Sequence, residues 1–300
     1  MYKLMIRRIL LLLLRVFILS FVLFFFLVPG ASFREFIYGY WHWLRGVFTG
    51  NFGWSWRFNQ PVIEIIRTRL PNTVLLVVVT LLIVYGVGIP LGIISGRNYD
   101  SWKDRATLMV TQIGASFPSF TLALILLIFF AFSLRWFPHR GSISIEMIDS
   151  GWIQYYLARL HHVILPALSL AIVQLMMPMR YLRGGIVDTM KQSFITTARA
   201  KGVTEKDVFK KHVFKNALPA LIATFPIQLG AILSGAIIIE GIFMFPGLGD
   251  LVFISFRYGD FGVIIVLALM FGLTIMLLSV IADVLLMKLD PRVEFEKKRR

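Results

Sequence analysis

Few side chains in this 300-residue sequence are of a type and spacing that could do chemistry. His161 and His162 are adjacent, and neighbouring positions on a helix face apart, so the pair favours packing over a metal site. Met176, Met177 and Met179 are potential soft ligands, but methionine more often fills irregular apolar interfaces. The absence of cysteine excludes disulfides, thiolate metal sites and a cysteine nucleophile.

Charged residues within the long apolar stretches are also few. Arg15 and Asp283 each lie about 8–10 Å from one end of their stretches, at 1.5 Å per helical residue, which predicts an ion pair between the first and last helices. Glu240 lies at the opposite end of its stretch, and the lack of an acidic series argues against a proton-driven carrier. Walker A, H-E-x-x-H and G-x-S-x-G patterns are missing. The chain is therefore predicted to be no enzyme and to hold no metal or cofactor itself.

The composition shows which elements must carry these residues. Apolar residues make up 58% of the chain and charged residues only 16%, which excludes a soluble monomer and predicts an all-α integral membrane protein. The whole chain, residues 1–300, is predicted to be one transmembrane domain. Its six spans are expected at about 9–28, 71–95, 107–133, 163–182, 217–239 and 262–286.

The net charge of +15 is interpreted by its location. Roughly two thirds of the 31 Lys and Arg residues fall on one side of the predicted spans, and that side is expected to be cytoplasmic. Both termini are then cytoplasmic. No base-reading module is recognisable, so a nucleic-acid partner is not expected.

The longest predicted cytoplasmic loop, residues 188–217, joins the fourth and fifth spans. Its first helix should run over about 190–201 and end at Gly202, which suits a left-handed C-cap. A second helix should begin with Thr204 as N-cap and Asp207 at N3. The two helices would form a protruding elbow, and the outer face of the first helix is expected to carry small residues: Thr196, Thr197, Ala198, Ala200 and Gly202. Such an elbow could enter a partner's cleft, with Arg199 and Lys201 meeting acidic or carbonyl groups at its rim, but a solvated basic loop fits equally well.

Several motifs along the chain resemble a known family. The segment TTARAKG, followed by KNALPA, resembles the E-A-A-x-x-x-G loop of binding-protein-dependent ABC importer permeases. NFGWSWRFNQPVIEIIRTRLPNTVLL, DRATLMVTQIGASFPSF, EGIFMFPGLGDL and ADVLLMKLDPR are similar to the B-type permease of the dipeptide, oligopeptide and nickel branch. The resemblance covers nearly the whole chain from about residue 40. It departs from the loop motif at Thr196 and Thr197, which replace an acidic residue and an alanine.

The resemblance implies a permease of the bacterial cytoplasmic membrane. Its expected partners are a second homologous permease, two ABC ATPases that use ATP and Mg²⁺, and an extracytoplasmic substrate-binding protein. Two sets of residues carry over from the family motifs. The expected ATPase-coupling residues are Thr197, Ala198, Arg199, Ala200, Lys201 and Gly202. The expected signature near the outer end of the fifth span consists of Glu240, Phe243, Pro246, Gly247 and Gly249.

The sequence leaves alternatives open for the transported substrate and for the class of transport protein. Di- or oligopeptides are the first expectation, and nickel or a metal chelate is the alternative within the same branch. A stand-alone channel or secondary carrier, and a scaffold that only anchors other proteins, are alternatives of a different class. No substrate-binding residue is assigned.

Overall fold

The computed structural model describes residues 2–27, 32–148 and 151–289, and most of them are helical. In chain order the α-helices are α1 (Tyr2–Leu27), α2 (Phe33–Phe48), α3 (Val62–Arg97), α4 (Trp102–Ser116), α5 (Ser119–Leu126), α6 (Trp152–Gln174), α7 (Met176–Met190), α8 (Ser193–Ala200), α9 (Glu205–Asp207), α10 (Lys215–Ile242), α11 (Leu248–Tyr258) and α12 (Phe261–Leu289). The shorter elements are two π-helical segments, Leu127–Ser133 and Val208–Phe214, a 3-10 turn, Ile145–Met147, and two antiparallel strands, β1 (Trp54–Ser55) and β2 (Gln60–Pro61).

Four helices of the described chain are long and apolar enough to cross a bilayer. They are Val62–Arg97, Trp152–Gln174, Glu205–Ile242 and Phe261–Leu286. The number rises to five if the bent pair formed by α4 and residues 119–133 is one span. In α1, the described apolar stretch Leu10–Phe25 is shorter. Residue 28 and both chain termini lie outside the described residues, so six spans with cytoplasmic termini stay a prediction.

The third predicted span, 107–133, consists of two helices in the structure. The helices on either side of residues 117–118 are bent by 92°. Phe117 is extended, with φ −85° and ψ 135°, as expected for a residue before proline. Pro118 then becomes the N-cap of α5, because it cannot donate the hydrogen bond that a continuous helix requires.

The fourth predicted span, 163–182, is divided between two helices. It begins earlier than predicted, at the start of α6, and α7 takes over after Leu175. Pro178 falls in the first turn of α7, where its missing N–H has no helical partner to lose. The segment that leads into the loop 188–217 is therefore α7, which is a separate helix from α6.

Close packing of α3 against α7 forms the centre of the fold. A Cβ added at Gly92 would lie 3.0 Å from the carbonyl oxygen of Met179, and one at Gly96 would lie 2.9 Å from the side chain of Ile186. Larger side chains would push the helices apart, so the two glycines set this approach. Buried residues of α3, α6 and α10 build the largest apolar cluster beside it.

An aromatic cluster joins α1, α2 and α12. Phe24 of α1 packs with Phe36 and Tyr40 of α2 and with Ile265 of α12. The buried hydroxyls of Ser20 and Tyr40 are hydrogen-bonded at 2.7 Å. This cluster places α2 against the membrane domain and satisfies the polar atoms that its aromatic rings bring with them.

Candidate functional site

The predicted elbow between α8 and the next helix has the expected backbone geometry. Gly202 has a φ of +77°, which is the left-handed conformation that glycine adopts without steric cost. Its N–H donates to the Arg199 carbonyl at 2.9 Å. The Thr204 hydroxyl accepts from the N–H of Asp207 at 3.2 Å, as an N-cap does.

The predicted second helix of the loop is not a separate element. From Glu205 the helix continues without a break to Ile242. The elbow therefore stands directly at the end of a membrane-crossing helix. Its other arm, α8, begins at Ser193, and two residues separate it from the end of α7 at Met190.

A buried apolar cluster fixes α8 to both of its flanking helices. Its members are Leu182, Ile186, Ile195, Ala198, Val208, Val213 and Ala217. Ala198 is thus packed inward against its own chain, and the expectation that it belongs to the outer face of the elbow is wrong. The identity of a small residue does not reveal which side of a short helix it occupies.

The outward surface of the elbow consists of small and cationic residues. Thr197, Ala200, Lys201 and Gly202 are exposed. Arg199 is bound within the chain, because its guanidinium donates to the two Glu205 carboxylate oxygens at 2.7 and 3.2 Å. These hydrogen bonds raise the pKa of Arg199 above its ordinary value. Arg199 therefore links α8 to the first residue of the next helix on the exposed side of the elbow, whereas the sequence alone suggested that it would contact a partner.

A buried ion pair connects the same part of α7 to α4, and sequence reasoning missed it. Asp104 is 1% exposed and accepts from Arg183 Nε and Nη2, both at 2.7 Å. The Ser95 hydroxyl and the Asp100 N–H donate to the same carboxylate. An acid in the first turn of α4, after the N-cap Ser101, was the available sequence signal. It indicated a helix start but not the distant arginine.

The five signature residues meet at the other end of the long helix that begins at the elbow. Glu240 is completely buried. Its carboxylate accepts from the Thr73 hydroxyl at 2.7 Å and from the N–H groups of Gly249 and Asp250 at 2.7 and 3.0 Å. These two N–H groups belong to the first turn of α11, so Glu240 caps that helix from within the protein.

The two glycines of the signature leave room for this cap, and its other two residues pack or hydrogen-bond nearby. A Cβ on Gly247 would collide with the Glu240 carboxylate, and one on Gly249 would lie 2.6 Å from Ile237 Cα. Phe243 is buried beside them. The Pro246 carbonyl accepts from Asn72 Nδ2 at 2.9 Å.

Helix α3 completes the support of α11 through residues that the sequence did not single out. The Thr73 hydroxyl accepts from the Leu248 N–H at 2.7 Å. Arg69 pairs with Asp250 at 2.6 Å. The signature is therefore a structural joint between α3, α10 and α11.

The remaining predicted site residues are not brought together in this way. The ion pairs found among the described residues do not include one between Arg15 and Asp283, although Asp283 does have an interaction partner. That pair stays a prediction. His161 Nε2 donates to the Trp136 carbonyl at 2.8 Å, and His162 Nδ1 donates to the Ala158 carbonyl at 2.8 Å. Within the described ranges, no group of three or more His, Asp or Glu residues is placed to hold a metal ion.

The helical fold is similar to that of a chain in a solved ABC transporter. It superposes on a chain of the MetNI methionine ABC transporter, solved in inward facing conformations, with a TM-score of 0.60 and 14% sequence identity. The match covers 76% of this chain and 97% of that chain. At this identity the likeness concerns the fold alone.

Sequence comparison supplies the family. Residues 88–295 match the model of the binding-protein-dependent transport system inner membrane component, and the chain belongs to this family. It is therefore an inner-membrane permease component of an ABC importer, as the motifs indicated.

Three relatives show the branch. The oligopeptide transport system permease protein AppB of Bacillus subtilis is 35% identical over 85% of this chain and 80% of its own length. A putative peptide transport system permease protein of Brucella abortus is 34% identical, over 85% and 79%. The glutathione transport system permease protein GsiC of Escherichia coli K12 is 31% identical, over 86% and 79%.

Proposed function

We propose that this permease forms half of the translocation path of an ATP-driven importer of di- or oligopeptides. Relatives named for oligopeptides, peptides and glutathione support the substrate class. A second, homologous permease would form the other half. An extracytoplasmic binding protein would deliver the peptide, and two ABC ATPases would consume ATP and Mg²⁺. This chain, as one domain of six spans with both termini in the cytoplasm, would perform no catalysis.

The observation that carries the coupling role is the attachment of α8 to two helices at once. Ile195 and Ala198 belong to the same buried cluster as Leu182 and Ile186 of α7 and as Val208 and Val213 at the start of the Glu205–Ile242 helix. An ATPase that holds the exposed side of α8 would therefore move two membrane helices together. ATP binding biases such a packed, two-state arrangement because the closed ATPase dimer binds ATP more tightly.

The coupling residues have different tasks in this proposal. Thr197, Ala200 and Gly202 offer small exposed surfaces that allow close approach of a cleft, and Lys201 contributes a charge at its rim. Arg199, through Glu205, keeps α8 at a fixed angle to the next helix. Ala198 anchors the elbow from inside.

The sharpest test of the elbow is Gly202→Val, with Gly50→Val as the matched control. The two glycines have φ values of +77° and +80°. Among the described residues, neither would have a neighbour within 4 Å of an added Cβ. Both substitutions impose the same backbone strain, but only Gly202 lies in the elbow. We expect peptide uptake to fail in Gly202→Val alone, and equal uptake by the two variants would contradict the coupling role.

The partners and the substrate require separate measurements. Purification of the tagged chain from native membranes in mild detergent should recover a second permease and ATPases with vanadate-sensitive activity. Recovery of the chain alone, without such activity, would favour a channel or secondary carrier. Uptake of radiolabelled dipeptide and of nickel by the same cells would separate the peptide importer from a nickel or chelate importer.

A further inference from the structure

A pocket of about 600 Å³ lies between the elbow-side ends of α3 and the Glu205–Ile242 helix. It is lined by Ile93, Arg97, Lys206, Phe209, Lys210 and Phe214. Three of these residues are cations and three are apolar. The volume falls within the range of about 300–1,000 Å³ that is typical of small-molecule sites.

The cations of the pocket have no direct acidic partner among the described residues, although Glu205 attracts Arg97 and Asp207 attracts Lys210 at longer range. Arg97, Lys206 and Lys210 form no ion pair with an acidic side chain in the described part of the chain. The nearest acids are held by cations outside the pocket: Glu205 by Arg199 at 2.7 Å and Asp207 by Lys211 at 3.3 Å. The pocket therefore carries a local excess of three positive charges, which favours an anionic ligand.

The floor of the pocket is apolar and aromatic. The Arg97 guanidinium lies over the Phe209 ring, 4.6 Å from its centroid. Phe209 and Phe214 have their own ring contact, with centroids 6.3 Å apart. Stacking on a ring holds the guanidinium in place while its N–H groups stay available to a ligand.

The position of the pocket along the membrane spans indicates which kind of anion it would bind. Arg97 is the last residue of α3 and follows its apolar run directly. Phe214 lies one residue before the start of α10. The pocket is therefore at the level where a bilayer changes from acyl chains to headgroups, a polar layer about 5–8 Å thick on each side. This placement depends on where the spans end and not on the direction of insertion.

We propose that this pocket binds an anionic phospholipid, with its phosphate between Arg97, Lys206 and Lys210 and the upper part of an acyl chain against Phe209 and Phe214. Basic pockets between membrane helices bind lipid headgroups through the same combination of charges and apolar walls. The bound lipid would contact α3 and the helix next to the elbow together, so it would stabilise the arrangement in which those two ends are adjacent.

The test measures lipid binding to the delipidated full chain by native mass spectrometry. Phosphatidylglycerol and phosphatidylcholine, matched in acyl chains, are titrated separately. The pocket variant carries Arg97→Gln, Lys206→Gln and Lys210→Gln. The control variant loses three exposed charges outside the pocket through Lys103→Gln, Lys191→Gln and Lys215→Gln.

Each cation near a headgroup contributes about fivefold in affinity, so the pocket variant should bind phosphatidylglycerol about 100-fold more weakly. The control should bind it like the wild type, and phosphatidylcholine binding should be equal in all three. Equal loss in the two variants would overturn the site, because it would show attraction to net charge alone. A second variant, Lys206→Glu with Lys210→Glu, keeps Arg97 on its ring and serves as the test if the first variant folds poorly. It should show the same loss of phosphatidylglycerol binding.

Two further measurements distinguish other sources of the anion. Inorganic phosphate that binds as tightly as phosphatidylglycerol, and only to chains with the intact pocket, would identify a soluble anion and overturn the lipid assignment. A pocket variant that fails to recover its ATPases from native membranes, yet binds phosphatidylglycerol normally, would identify a protein contact and overturn it as well. Normal ATPase recovery with lost lipid binding is the expected result.

Discussion

Replacement of Glu240 should show how strongly the buried cap holds α11. In Glu240→Ala, the N–H groups of Gly249 and Asp250 lose their acceptor. A buried donor left without a partner costs about 1–3 kcal/mol, so the two backbone donors alone predict a loss of at least about 2–6 kcal/mol of unfolding free energy, and the Thr73 hydroxyl also loses its acceptor. Glu240→Gln keeps the shape and one acceptor oxygen, and should lose only about 1–2 kcal/mol.

Two buried threonines of α3 give a second test of the cap, because one of them bonds to it and the other bonds only within its own helix. Thr73 is 3% exposed, donates to Glu240 and accepts from the Leu248 N–H. Thr80 is 0% exposed and donates only to the Leu76 carbonyl of its own helix. Thr73→Val should therefore cost about 1–3 kcal/mol, and Thr80→Val less than about 1 kcal/mol.

The assay is unfolding in mixed micelles by increasing denaturing detergent, followed by far-ultraviolet circular dichroism. Hydrogen exchange of peptides from α11 localises the effect, since protection should fall about tenfold for each 1.4 kcal/mol of local stability lost. The expected order of loss is Glu240→Ala, then Thr73→Val or Glu240→Gln, then Thr80→Val. If Glu240→Ala unfolds at the same detergent concentration as the wild type, and its α11 stays protected from hydrogen exchange, the cap is not a stabilising contact and the reasoning fails.

Two other substitutions test joints of the fold. Asp104→Asn leaves Arg183 partly buried beside a neutral group, and should lower the free energy of unfolding by about 3–5 kcal/mol; the double variant with Arg183→Gln should recover part of that loss, and an additive double loss would refute the pairing. Gly249→Ala forces a Cβ against Ile237 and should cost about 1–3 kcal/mol in the same unfolding assay. Gly241→Ala, which meets no described atom within 4 Å, should be neutral or stabilising, and equal effects at the two glycines would refute the steric argument.

Local turn chemistry was the part of the site that the sequence predicted well. Gly202 and Thr204 act through hydrogen bonds within a few residues of themselves, so their types are sufficient to predict the turn. Hydropathy predicted where most apolar runs lie, but a sum over a window does not register direction. Hydropathy by itself therefore does not give the 92° angle between the two helices that meet at Pro118.

The long-range contacts could not be predicted from one sequence. Asp104 and Arg183 are 79 residues apart, and Thr73 and Glu240 are 167 apart. Each residue is ordinary for its local position, and only the fold brings the partners together. The inward orientation of Ala198 has the same origin, because it is decided by the helices against which α8 packs.

The continuous helix Glu205–Ile242 has a mechanical consequence. Its 38 residues would span at most about 57 Å at the α-helical rise of 1.5 Å per residue, since Val208–Phe214 are π-helical, and the elbow lies at one tip and the Glu240 cap at the other. A rotation of about 10° around its midpoint would swing each tip by about 5 Å, in opposite directions. One pivoting movement would thus widen the molecule on one face of the membrane while narrowing it on the other, without any change in the helix itself.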